Sequence, residues 1–260
     1  VSYEKILYSL DGGVAHVSLN DPGTRNAVSR ALGDELIDAL RRASCEARAV
    51  LLTGEGKGFC SGANLAETPL DPGDPARDPG VSLDAYMHPM IMALRMLEMP
   101  VVTAVQGAAA GIGASLALAG DIILCGASAY FVQAFRQVGL VGDGGATWLL
   151  SRAVGRVRAM ELLLLGEKLP AAQAHEWGLV TRVVPDEELR DVALAMTREL
   201  AAGPRSLGMI KRTAWAAVDS SIEASMAAER AAQRDASRTD DFIEGVTAFR
   251  EKRPPQFKGR

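Results

Sequence analysis

Ala15, Val17 and Leu19 alternate with His16, Ser18 and Asn20. A period of two predicts a half-buried strand there, and Asp21-Pro22-Gly23 turns the chain after it. The period then becomes helical. Leu32, Leu36, Ile37 and Leu40 recur at helical spacing behind Ser29, a residue suited to capping a helix N-terminus. Ala49–Thr53 predicts a short buried strand. Gly54–Gly62 is a glycine-punctuated loop ending in Cys60 and Ser61, with Asn64 and Leu65 beyond. Pro69–Gly80 (PLDPGDPARDPG) is too rich in proline for regular structure and predicts a surface loop, either a lid or a tolerated insertion. Ser82 or Asp84 caps the next helix, to about Glu98, with Met87, Ile91, Leu94 and Leu97 on its apolar face.

Val101–Gly145 organises the rest. A β-branched run, Val101–Val105, enters a glycine- and alanine-rich bend, Gln106–Gly113. An apolar helical segment, Ala114–Ala119, and a second apolar run, Ile122–Cys125, follow, and the stretch closes on Asp143-Gly144-Gly145. Leu149–Val154 and Ala159–Leu165 form helical apolar stripes, and Leu179–Val184 predicts a late strand. A helix from Pro185-Asp186 carries Leu189, Val192, Met196 and Leu200 and stops at Gly203-Pro204. Three more helical segments lie near 205–218, 221–236 and 240–251. The expectation is an α/β body over residues 1–200 and a helical region over 201–260. That tail has too few large apolar residues for its own core, so it packs on its own body or on a neighbouring subunit.

Composition narrows the function. Among 260 residues, 48% are hydrophobic and 23% charged, which fits a globular chain. A net charge of −4 argues against nucleic acid or an anionic membrane as the main partner. Cys45, Cys60 and Cys125 are odd in number and lack metal-ligand spacing; a reducing, cytoplasmic setting and no metal are the expectation. Glu4 and Lys5 with no apolar segment behind them give no secretory signal. Val101–Gly120 is long enough to span a bilayer, but Gln106, Ser115 and four glycines interrupt it, so a buried strand–bend–helix is expected instead.

Two backbone sites follow short strands: Ser61-Gly62-Ala63-Asn64 and Gly111-Ile112-Gly113. If the loops meet, one N–H from each can clamp a carbonyl oxygen. Such donors stabilise an enolate as charge develops, each worth about 3–4 kcal/mol of barrier. On spacing alone, the same glycines equally serve tight helix–strand packing. Asp143 is the nearest proton carrier, and Asp-Gly-Gly is equally a turn signal. Cys60 and Ser61 have no histidine placed to activate them, and His16, His88 and His175 suit structural roles.

The run VVTAVQGAAAGIGASLALAGDIILCGASAYF, the element CSGANL, the run LLLLGEKLPAAQAHEWGLVTRVVP and the closing FREKRPPQFKGR resemble the crotonase (enoyl-CoA hydratase/isomerase) superfamily over nearly the whole chain. The resemblance implies a spiral of strand-strand-helix units with a C-terminal trimerisation region, a homotrimer or hexamer. It implies an acyl-coenzyme A thioester substrate, with no cofactor beyond the coenzyme A that the substrate carries. By motif, the oxyanion N–H groups fall at Ala63 and Ile112, the latter a position that is usually glycine. Arg25-Asn26-Ala27 resembles the coenzyme A loop. Substrate contacts carried over on the motifs are Arg25, Ala27, Ser61, Asn64, Leu65, Gly111 and Phe135.

Hydratases of that superfamily use two glutamates, which would sit at Ser115 and Phe135; neither is an acid here. Asp143 remains. One carboxylate over an enolate can take a proton from one carbon and return it at another, without water. The FVQAF, GLVGDGGATWLL and AQAHEWG elements are similar to those of the ring-epoxide isomerase family of phenylacetate breakdown, which acts on 2-(1,2-epoxy-1,2-dihydrophenyl)acetyl-CoA. An apolar wall of Phe131, Phe135, Val138 and Leu140 would suit an aromatic ring and raise the aspartate's pKa. Three alternatives stay open: a hydratase, a dehalogenase with Asp143 as nucleophile, and a non-catalytic acyl-CoA-binding protein.

Overall fold

The computed structural model describes residues 2–67, 71 and 73–260. Its main sheet uses β1 (Ile6–Asp11), β2 (Val14–Leu19), β3 (Ala49–Gly54) and β4 (Val101–Val105). A second sheet starts with β5 (Ala108–Ala110). Strand β6 (Ile122–Gly126) returns to the main sheet, β7 (Tyr130–Val132) and β8 (Lys168–Pro170) complete the second, and β9 (Arg182–Val184) closes the first. The main sheet runs β1-β2-β3-β4-β6-β9, the second β5-β7-β8. Only β1/β2 and β7/β8 pair antiparallel; the other pairs are parallel.

Helices fill the crossovers. They are α1 (Arg30–Glu46), a single turn α2 (Gly80–Ser82), α3 (His88–Met96), α4 (Ile112–Leu118), α5 (Ala146–Ala153), α6 (Gly155–Leu165), α7 (Ala171–Glu176) and α8 (Leu189–Ala201). The tail adds α9 (Ser206–Ala217), α10 (Ile222–Ala236) and α11 (Asp240–Glu251). Ser29 caps α1 as expected, its side chain accepting from the Leu32 N–H at 3.1 Å. Leu32, Leu36 and Leu40 face the core fully buried. This alternation of strands and crossover helices is the α/β arrangement that the resemblance implies.

Several local expectations change. Strand β2 is covered on both faces rather than half-buried, because α1 and α8 flank its sheet; Ser18 is buried and donates to Glu55. The bend Gln106–Gly113 contains β5, an all-alanine strand made by pairing rather than by propensity. The expected strand Leu179–Val184 shortens to β9 and the helix ending near Glu98 stops at Met96. A π-helical stretch, Leu83–Met87, leads into α3. Of the proline-rich loop, Pro69, Leu70 and Pro72 lie outside the described residues; Asp74–Arg77 makes a tight turn, and Asp78–Val81 makes another that leads into α2.

A buried joint ties the tail to the body. Lys211 of α9 donates to the carbonyls of Leu94 (3.0 Å) and Met99 (3.2 Å) and pairs with Asp121 at 2.9 Å. Asp121 also accepts from Val101 N–H (2.8 Å) and the Trp215 indole (2.9 Å). Gly208 makes this approach possible: a β-carbon there would lie 2.0 Å from the Glu98 carbonyl oxygen. Further out, Asp241 accepts from the backbone N–H groups of Arg205, Lys258 and Gly259, which pins the C-terminal segment. Among the described residues no helix is long and apolar enough to cross a membrane.

Candidate active site

The two glycine loops meet. Cys60 N–H donates to the Ala108 carbonyl (3.1 Å) and Ala110 N–H to the Cys60 carbonyl (2.9 Å), so 60–63 runs parallel to 108–111. On the other side, Val28 N–H donates to Gly62 (2.7 Å) and Asn64 N–H to Val28 (3.0 Å). In an extended strand successive N–H groups point to opposite sides. With the Asn64 N–H turned to Val28, the Ala63 N–H turns toward the 110–112 segment. Gly62 has φ +101°, and a β-carbon on it would stand 3.0 Å from the Ala110 carbonyl oxygen. Gly111 has φ +50° and ψ −125° and swings the chain into α4, leaving Ile112 as the first helical residue. Its N–H is one of the four that a helix cannot pair within itself. Among the described residues neither the Ala63 nor the Ile112 N–H reaches an acceptor.

Asp143 is pressed against the first turn of α4. Ser115, fully buried, donates its hydroxyl to the Asp143 carbonyl at 3.1 Å. Gly144 fits tightly beside it: a β-carbon there would lie 2.3 Å from Ile112 Cδ1 and 2.9 Å from Ser115 Cβ. The turn itself is made by backbone, with Ala146 N–H donating to the Asp143 carbonyl at 2.9 Å. The carboxyl is therefore spared from the turn. Its Oδ1 is buried and has no hydrogen-bond partner among the described residues. Burial pushes its pKa up to about 6, offset in part by the residue's own backbone N–H.

The coenzyme A-loop positions gather at the same loops. Arg25 and Asn26 both hold positive φ (57° and 59°). Ser61 N–H donates to the Arg25 carbonyl (3.0 Å) and the Ser61 hydroxyl to Thr24 (2.8 Å). Arg25 is exposed, Ala27 buried and Leu65 half-exposed at the start of a short 3-10 turn, where Asn64 accepts from Ala66 N–H. Asn26, placed in the coenzyme A loop by the sequence, has a side-chain role that the sequence did not show. Fully buried, it accepts from Asp21 N–H and donates to the carbonyls of Glu55, Gly58 and Phe59, tying the loop to the strand end that carries Cys60. A side chain with both donors and an acceptor is needed there, but an asparagine in a turn looks ordinary in sequence.

The expected apolar wall divides. Phe135 is nearly buried, with its ring 3.7 Å from where a β-carbon on Gly111 would be. Phe131 instead belongs to β7 and packs in the core. Val138 and Leu140 are half-exposed, on either side of the Gly139 bend (φ +69°). Cys45 is exposed, while burial pushes the Cys60 and Cys125 thiols up to about 12. His16 bonds Thr53 and His175 bonds the Val180 carbonyl. Among the described residues no group of three or more metal-ligating side chains assembles.

The enoyl-CoA hydratase/isomerase family profile matches residues 9–260. The chain is 44% identical over 260 residues to 1,2-epoxyphenylacetyl-CoA isomerase of Escherichia coli K12, with 99% of each chain covered. It is 41% identical over 265 residues to a "probable enoyl-CoA hydratase" of Rhodobacter capsulatus, covering 100% of both. It also resembles the crystal structure of an enoyl-CoA hydratase from Polaromonas sp. JS666, with TM-score 0.90 and 34% identity over 97% of this chain and 99% of that one.

Proposed function

Since this chain belongs to the enoyl-CoA hydratase/isomerase family, we propose that it isomerises acyl-coenzyme A thioesters with Asp143 as the proton carrier. The thioester carbonyl oxygen accepts from the N–H groups of Ala63 and Ile112. The Asp143 carboxylate takes a proton from C2 of a 3-enoyl chain, and the electrons move into the dienolate that the two N–H groups hold. The same carboxyl, after exchanging its proton with solvent, then delivers a proton at C4, leaving a 2-enoyl thioester. For a ring epoxide of the kind named for the E. coli relative, the same transfer serves the ring rearrangement to an oxepin. The coenzyme A of the substrate is the only cofactor this chemistry uses.

The observation that carries this reading is the Asp143 carboxyl: partly buried, with Oδ1 buried and unpartnered among the described residues, and fixed beside Ile112 through Ser115 and Gly144. A pKa near 6 suits a group that must both accept and release a proton near neutrality. Water activation by two carboxylates has no residues to use, since Ser115 spends its hydroxyl on the Asp143 carbonyl and Phe135 offers a ring. Proton NMR in D₂O with a 3-enoyl-CoA tests the reading. The expected result is a double-bond shift with deuterium incorporation, lost in Asp143→Asn. Prompt 3-hydroxyacyl product, or undiminished activity in Asp143→Asn, would overturn it.

The tail is proposed to build a homotrimer, alone or paired into a hexamer. Supporting this, Ile222, Met226, Ile243 and Phe249 are exposed, and α9, α10 and α11 enclose an apolar cleft of about 560 Å³ lined by Phe242, Phe249 and Phe257. Sedimentation as a 27.5 kDa monomer would contradict it.

A further inference from the structure

Two buried side-chain oxygens have no hydrogen-bond partner among the described residues. One is Asp143 Oδ1; the other is Gln133 Oε1. Gln133 is 2% exposed, and its Oε1 has no hydrogen-bond partner among the described residues. Interior polar groups are nearly always paired. A buried amide oxygen left unpaired is a group that a ligand atom can satisfy.

The fold places the backbone that carries this carboxamide beside the candidate site. Ala110 pairs with Val132, and Gly111 N–H donates to the Val132 carbonyl at 2.9 Å. One step further, Gln133 stands level with Gly111, the residue before Ile112. Ala109, Phe131 and Leu169 lie in register across the second sheet and are all buried. A period of two puts Gln133 on the face of Phe131, at the end from which α4 departs. Two residues on, Phe135 packs its ring against Gly111. The Gln133 backbone is held firmly, with its carbonyl oxygen 3.1 Å from where a β-carbon on Gly166 would stand.

We propose that the Gln133 carboxamide is a specificity-determining contact that hydrogen-bonds an oxygen borne by the acyl group near the reacting carbons. A half-turn of the amide exchanges its acceptor for a donor, so it serves an epoxide, oxo or hydroxyl oxygen. A plain hydrocarbon chain leaves the amide buried and unpaired. Sites of that kind discriminate against the analogue that lacks the polar atom. The inference rests on the reading of Asp143 given above and deepens it: the acyl group is an oxygen-bearing one.

Calorimetric binding of two unreactive probes, 2-hydroxyphenylacetyl-CoA and phenylacetyl-CoA, tests it. The wild-type protein is expected to bind the hydroxylated probe about tenfold more tightly. In Gln133→Met the preference disappears through weaker binding of the hydroxylated probe, with phenylacetyl-CoA within about twofold of wild type. Equal affinities in the wild type overturn the proposal, whether or not the variant folds. A preference that survives in Gln133→Met overturns it as well. Deuterium exchange with a 3-enoyl-CoA reads the Asp143 reaction separately. Exchange without an oxygen preference removes this inference alone; a preference without exchange removes the reaction and leaves the contact.

Discussion

Helix α4 has an aspartate at each end, and the two are treated in opposite ways. Asp121, just past its C-terminus, receives Lys211, the Trp215 indole and the Val101 N–H on its two oxygens. Asp143, against its first turn, is held by its backbone carbonyl while Oδ1 stays empty. The first carboxylate joins the helical tail to the body and is saturated with donors. The second is desolvated with its Oδ1 unpartnered, which raises its pKa to about 6. A carboxyl that holds a fold together and one that moves a proton thus differ less in burial than in what their oxygens touch.

The largest expected effect breaks the comparison at its chemical end. Asp143→Asn removes the proton carrier, and isomerisation should fall about 10³-fold, within the range for a lost general acid–base. Steady-state rates on a 3-enoyl-CoA read it. Lys211→Met breaks the structural end. It leaves the partly buried Asp121 carboxylate without its cation and should cost about 3 kcal/mol, measured by urea unfolding.

A smaller effect separates the two carboxylates by pH. Folded Asp143 keeps its proton up to about pH 6, whereas an unfolded aspartate releases it near pH 3.9. Between these values the folded state binds more protons, so the Asp143 contribution to stability falls as pH rises through that window. Asp143→Asn should therefore be more stable than wild type at pH 7 by about 1–3 kcal/mol, with the difference vanishing below pH 4. Thermal unfolding at both pH values checks this. Ser115→Ala is the mildest change. It removes one buried bond to the Asp143 carbonyl and should lower kcat about fivefold, about 1 kcal/mol, with KM unchanged.

Much of this was legible along the chain. The tail helices fall within a residue or two of where the apolar period put them, and the Ser29 cap is where a serine before a helical pattern should be. The strands that escaped notice were made by pairing. Strand β1 lies on the sheet edge and exposes Leu7 and Leu10, so its apolar pattern points to solvent. Strand β5 is three alanines, and β7 and β8 have three residues each. At the site, Asp143 and the two loops were visible as residue types. What fixes them was not: Ser115 is 28 positions from Asp143, and the bonds of Asn26 reach up to 33 positions away. No local period encodes contacts at that separation.

The central claim is that Asp143 carries the proton. The most direct test is deuterium incorporation into a 3-enoyl-CoA, followed as kcat/KM from pH 5 to pH 8 in wild type and Asp143→Asn. The predicted wild-type profile rises through about pH 6 to a plateau, and the variant shows no such limb. A flat wild-type profile, or a limb that survives in Asp143→Asn, would mean that another group moves the proton.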